Sequence, residues 1–95
     1  MEIGFAAGVN TNFLNKFFNF EDIIAVDILS GGVDHATFYA NLRFKNMTLI
    51  CGNTNNKKVQ NKISLNGPYD IIFIDGGHDY ETVKNDFKNF SKLVT

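Results

Sequence analysis

Between Asp75 and His78 the chain reads Asp-Gly-Gly-His, directly after the apolar run Ile71-Ile72-Phe73-Ile74. A carboxylate and an imidazole at positions i and i+3, across two glycines, can converge on one ion or on one substrate hydroxyl. His78 can equally do no more than cap the loop before the next helix. Two other stretches hold residues of comparable interest. Glu2-Ile3-Gly4-Phe5-Ala6-Ala7-Gly8 places small residues at 4, 6 and 8. Such a turn either lets backbone approach a ligand closely or serves tight packing. Asp27 follows the apolar run Ile23-Ile24-Ala25-Val26, nineteen residues past Gly8. A carboxylate there can accept two hydrogen bonds from the hydroxyls of a ribose, or it is a solvated strand end or a helix cap.

A glycine turn and a downstream acid suit a nucleoside ligand. The dinucleotide fingerprint G-x-G-x-x-G does not fit, because counting from Gly4 puts Val9 where its third glycine belongs. This makes a dehydrogenase a distant reading. No G-K-[ST] is present, which excludes a phosphate-binding P-loop. His35, beside Asp34 at a helix start, is read as solvated, and Cys51 as a small strand residue.

The elements that must position these residues follow from periodicity. Met1 to Gly4 reads as the end of a strand. Phe13, Leu14, Phe17 and Phe18 fall at helical spacing after Asn10, a good N-cap type. The runs 23–28, with one acid near its end, 47–51, with Thr48 inside it, and 71–74 are otherwise continuously apolar and do not alternate with polar residues. Strands of that kind belong to a parallel sheet covered on both faces. Asp34 can cap a helix carrying Phe38, Tyr39 and Leu42, and a weaker helix carries Val59 and Ile63. Asn66-Gly67-Pro68 is a turn. Asp79 caps the clearest helix, with Val83, Phe87 and Phe90 on one face. Its acids Asp79 and Glu81 and its bases Lys88 and Lys92 suit the helix dipole. The order is β-α-β-α-β-α-β-α, which right-handed crossovers wind into a doubly covered parallel α/β layer. Ligands bind such sheets at the C-terminal ends of the strands. Gly4 to Gly8, Asp27, Gly52-Asn53 and Asp75 to His78 all fall there.

Composition excludes several partners. The chain has 95 residues, 44% hydrophobic and 20% charged, with a net charge of −1. That balance points to no nucleic-acid or membrane partner. No apolar run reaches membrane-spanning length, and no signal peptide is visible. The one cysteine, Cys51, forms no internal disulfide, which fits a cytoplasmic location.

Two motifs carry a resemblance. Glu2-x-Gly4-x-x-x-Gly8 resembles motif I of class I S-adenosylmethionine (AdoMet)-dependent methyltransferases. Asp75-Gly76-Gly77-His78-Asp79-Tyr80-Glu81 is similar to the DGxHxYE segment that ends strand four in one subfamily. That subfamily includes macrocin-type sugar O-methyltransferases and cephalosporin-hydroxylase-like proteins. With Asp27 and Gly52-Asn53, the resemblance covers nearly all of the chain.

The resemblance implies a Rossmann-like, three-layer α/β/α fold with a parallel sheet. Of about seven strands in the complete family fold, four are present here, in the order 3-2-1-4. Residues 1–95 are then a single domain, the N-terminal cofactor-binding part of that fold, and the sequence is expected to be truncated at both ends. Gly4, Ala6 and Gly8 would pack under the methionine part of AdoMet, with Glu2 helping to hold that end. Asp27 would take the ribose hydroxyls, and Asn53 would lie near the adenine. Asp75 would face the methionine end, or bind a divalent cation such as Mg²⁺ where the family uses one. His78 would be a second metal ligand or the general base that removes the acceptor proton. The implied activity is methyl transfer to oxygen of a small molecule or sugar. The alternative is a non-catalytic fragment that binds a nucleoside weakly or packs against a partner chain. Strand four would be an edge, and its unguarded apolar sequence predicts self-association there.

Overall fold

The structure, a computed structural model, describes residues 1–6, 8–28 and 44–95. The expected helix with Phe38, Tyr39 and Leu42, its cap Asp34, and His35 lie outside these residues. The described elements are β1 (Glu2–Ile3), α1 (Val9–Phe17), β2 (Ile23–Asp27), β3 (Met47–Cys51), α2 (Lys57–Leu65), β4 (Phe73–Ile74) and α3 (Tyr80–Phe90). A short 3₁₀ turn, Ser91–Leu93, follows. The four strands form one sheet in the order β3-β2-β1-β4. Every pair is parallel, with Glu2 opposite Ala25 and Phe73, and Ile23 to Asp27 opposite Met47 to Cys51. This is a Rossmann-like α/β sheet, with the topology that its periodicity implies.

The continuous apolar runs have a direct cause. Successive side chains of a strand point to opposite faces, and here both faces are covered. Ile24 and Val26 join Ile3, Ile50, Val59, Ile63, Tyr69 and Phe90 in one core cluster. Ile23 and Ala25 join Phe5 and Phe44 in the other. Phe5 and Phe44 meet edge to face, with ring centroids 6.0 Å apart. Val59 and Ile63 are one turn apart on α2 and both are buried, as their spacing predicts. Asn56 caps α2 by accepting from Lys58 N at 2.9 Å. Asp79 caps α3 by accepting from Thr82 N at 3.1 Å.

One local expectation is corrected, and two apolar helix stripes are found exposed. Helix α1 starts one residue before Asn10, behind Gly8, whose φ of 81° makes it a left-handed N-cap. The aromatic residues of α1 do not fill the core. Phe13, Phe17 and Phe18 are exposed, and Phe13 and Phe17 pair with each other at 4.9 Å. The buried residue of α1 is Thr11. The polar Glu2 on β1 needs a donor above it, and Thr11 supplies one. On α3 the buried residues are Asp86 and Phe90, whereas Val83 and Phe87 are exposed. The stripe facing the sheet is therefore rotated from the apolar stripe read in the sequence.

Strand β4 is shorter than its apolar run. Only Phe73 and Ile74 are ladder residues. The approach to them is held by the chain's first residue: the Met1 ammonium donates to Ile71 O at 2.7 Å, and Phe73 N donates to Met1 O at 2.8 Å. Beyond β4 the described sheet ends, apart from an isolated parallel bridge between Tyr69 and Val94. Ile71 and Phe73 are exposed. Ile72, by contrast, packs against the core cluster around Ile3.

The expected consequence is association of copies along the β4 edge. Phe73→Lys should lower the association measured by sedimentation at rising concentration. Ile72→Lys should instead unfold the chain, because its side chain packs on the core. A wild-type chain that sediments as a concentration-independent monomer would overturn this expectation.

Candidate functional site

The four strands end on one rim, and the turns that leave them enclose a cleft of about 340 Å³. That size lies at the lower end of small-molecule sites. Gly4 and Ile3 line it from β1, Asp27 and Ile28 from β2, Gly52 and Asn53 from β3, and Gly76 and Gly77 from β4. A larger groove of about 580 Å³ lies at the opposite, N-terminal rim, beside Asp22 and Asp70. Ligands of open parallel sheets bind outside the carboxyl ends of the strands. The smaller cleft is therefore the candidate site.

The turn after β1 is built from unusual backbone. Gly4, Ala6 and Gly8 all have positive φ, at 93°, 48° and 81°. For Ala6 this is a sparsely populated, costly conformation. It is held by Asp27, whose Oδ2 accepts from Ala6 N at 2.7 Å. Asp27 thus ties the end of β2 to the glycine turn. That bond uses part of a carboxylate's acceptor capacity, about four lone-pair sites.

Gly4 has a structural role besides the one its motif suggests. A Cβ on Gly4 would lie 1.9 Å from the carbonyl oxygen of Asp75. The missing side chain makes room for the backbone leaving β4. It lets β1 and β4 stay paired up to the rim, where Asp75 N donates to Ile3 O at 2.8 Å.

Glu2 is 4% exposed. Its carboxylate accepts from the Thr11 hydroxyl and, at 3.2 Å, from Asn10 Nδ2. Both donors belong to the first turn of α1, so Glu2 holds that helix against β1. Burial pushes its pKa up, hydrogen bonds from Thr11 and Asn10 oppose this, and the nearby charge of Asp75 adds to the rise. Glu2, Ala6 and Gly8 do not line the cleft.

Asp75 and His78 are exposed and flank the glycines of the cleft wall without lining it themselves. Among the described residues, no group of three or more His, Cys, Asp or Glu side chains could hold a metal ion. Asp75 and His78 alone fall short of the oxygen-rich ligand set that Mg²⁺ requires. Asn53 sits at the other wall, where its Oδ1 accepts from Asn55 N at 2.8 Å and folds the loop after β3. Gly4, Asp27 and Asn53 are thus brought to one cleft, beside the Asp75–His78 loop.

Thr54 and Asp86 were not identifiable as site residues by motif. Both line the cleft, and Thr54 Oγ1 donates to Asp86 Oδ1 at 2.6 Å. The available signal was an acid one turn before Phe90, on the stripe that packs inward.

A family model described as a methyltransferase domain matches residues 1–95. No curated protein matches, and no solved structure matches. Among the described residues, no helix is long and apolar enough to cross a membrane.

Two outcomes test this geometry. Gly4→Ala should lose about 1–3 kcal/mol from left-handed backbone alone. The overlap with Asp75 adds to that loss, and urea denaturation will measure the sum. For Glu2, the folded pKa lies above the ordinary value of 4.5. The folded chain therefore binds the proton more tightly than the unfolded chain. Glu2's contribution is largest below pH 4.5 and is lost as pH rises through the folded value. The stability of Glu2→Gln relative to wild type should accordingly improve from acid to neutral pH. Parallel denaturation curves at both pH values would show no such trend if the carboxyl were unperturbed.

Proposed function

This chain belongs to the methyltransferase-domain family, and on that premise we propose that it binds AdoMet in the rim cleft for methyl transfer to an oxygen of a small molecule or sugar. The observation that carries this reading is the convergence of Gly4, Asp27, Asn53 and Gly76 on one cleft at the C-terminal ends of the strands. Each comes from a different strand end, and together they match what a nucleoside requires. Asp27 offers carboxylate acceptors to ribose hydroxyls. Gly4 and Gly76 keep backbone at the cleft surface. Asn53 borders the wall on the β3 side, where the base would lie.

When bound, AdoMet supplies an activated methyl group on a sulfonium. The chain's part is to orient that group and to manage a proton. Methyl transfer to oxygen needs the acceptor hydroxyl aligned in line and its proton removed. His78, on the exposed loop beside the cleft, is the proposed base. Asp75 precedes it on the same loop and is proposed to orient the acceptor or the base. No step is assigned to a metal, because the two side chains do not complete a ligand set.

Calorimetric titration with S-adenosylhomocysteine tests the reading. Wild type should bind, and Asp27→Ala should lose roughly 1.5–3 kcal/mol, the usual cost of removing hydrogen bonds to a charged group. Circular dichroism will establish that the variant is folded, since Asp27 also holds the Ala6 turn. A folded wild type that gives no binding heat would leave a non-catalytic α/β module as the reading.

A further inference from the structure

Asparagine is a thermolabile residue, and this chain carries thirteen. Only Asn66 is followed by glycine. The side-chain amide of an asparagine can be attacked at Cγ by the backbone nitrogen of the next residue. A side chain on that residue obstructs the attack, and glycine has none.

Packing favours glycine at position 67. A Cβ there would stand 3.0 Å from Tyr69 Cε2 and 3.3 Å from Cδ2. The Tyr69 ring is not free to yield. It is buried in the core cluster with Ile63, and its hydroxyl donates to Ile63 O. Its backbone N donates to Leu93 O at 2.8 Å. The reactive dipeptide is therefore built into the turn between α2 and β4. Asn66 itself is exposed, so water reaches it.

In the intact helix, two hydrogen bonds restrain the reacting groups. Asn66 Nδ2 donates to Lys62 O at 2.8 Å, which draws the amide back over the last turn of α2. Gly67 N donates to Ser64 O at 3.2 Å, so the nucleophilic nitrogen has its hydrogen engaged. Both acceptors belong to the end of α2. Helix ends fray, and such local opening needs far less free energy than global unfolding. When the last turn opens, both groups are released together.

We propose that Asn66–Gly67 is a deamidation site gated by the last turn of α2. The Gly67 nitrogen loses its proton to a solvent base and bonds to Asn66 Cγ. The Cγ–Nδ2 bond breaks, and the nitrogen leaves as ammonia after taking a proton from water. The product is a cyclic succinimide. Water then opens the ring. Attack at Cγ gives aspartate, and attack at the backbone carbonyl gives isoaspartate, with the main chain rerouted through the former side chain. Either product loses the donor to Lys62 O. Either one puts a negative charge at the C-terminal end of α2, where the helix dipole disfavours it. It also adds a carboxylate to the N-terminal-rim groove, which Asn66 lines with Glu21, Asp22 and Asp70. The modification is a one-way mark that the end of α2 has opened, and it does not depend on the cofactor reading.

The experiment is incubation of the 95-residue chain in mildly alkaline buffer made with heavy-oxygen water. Proteolysis and mass mapping then locate the labelled carboxylates. Label should appear first at Asn66, with isoaspartate among the products. The folded chain should react more slowly than the same chain in urea by roughly 5- to 150-fold, the factor that two net hydrogen bonds supply. Gly67→Ala should suppress the reaction in urea, where its effect on folding is irrelevant. Asn66→Asp, which stands for one product, should melt below wild type or fail to fold. Label appearing first at another asparagine overturns the site. Equal rates in the folded and urea-unfolded chain overturn the gate. An Asn66→Asp variant that melts with wild type overturns the consequence for α2.

Discussion

The site depends on how closely β1 and β4 approach each other at their C-terminal ends. The carbonyl of Asp75 occupies the place where any side chain at position 4 would begin. Because Gly4 has none, the ladder continues to the rim, with Phe73 N, Asp75 N and Gly4 N all donating to neighbouring strands. The loops leaving β1 and β4 then emerge side by side, and the cleft opens between them and the ends of β2 and β3. Two ladder pairs on each side of β1 carry this registration. The sheet is short, and its geometry at the rim is held by polar contacts as much as by its length.

Those contacts form a consistent pattern. Three carboxylates tie one element to another near the rim, and a fourth closes a helix start. Asp27 holds the Ala6 backbone, Glu2 holds the first turn of α1, Asp86 holds Thr54 of the loop after β3, and Asp79 closes the start of α3. Charge-assisted bonds of this type are stronger than neutral ones, and they suit loops that have little apolar surface to bury. Their energetic consequences differ with burial. Asp79 is exposed, and its bonds to Thr82 draw its pKa down. Glu2 is buried, and there desolvation outweighs two hydrogen bonds and drives its pKa up. The same side-chain chemistry thus favours the charged form on α3 and disfavours it beneath α1.

Apolar residues divide just as sharply. The inner residues of β2 and the pair Val59 and Ile63 are fully committed to the core. Phe13, Phe17, Phe73, Val83 and Phe87 are not. These exposed positions lie on α1, β4 and α3. Periodicity marks a residue as apolar and places it on a helix face. It does not say whether another layer covers that face. On α3 this ambiguity hid Asp86, since the apolar stripe Val83-Phe87 drew attention away from the polar residue that packs inward.

The sequence by itself determined the parallel, doubly covered sheet, its order, the cap at Asp79, and the assignment of Gly4, Asp27, Asn53 and the Asp75–His78 loop to one rim. Those features rest on local patterns: runs that are largely apolar and do not alternate with polar residues, turn residues between them, and the handedness of crossovers. Only the tertiary structure decided what each residue does there. Gly4 serves the approach of two strands, Glu2 serves a helix, and Asp27 serves a strained turn before it serves any ligand. Asp86 enters the site from α3 with one oxygen unpaired. The physical reason is that hydrogen-bond partners and close backbone approaches join residues distant in sequence, such as Gly4 with Asp75 and Thr54 with Asp86. No periodicity encodes such pairs, and they exist only once the strands have been laid side by side.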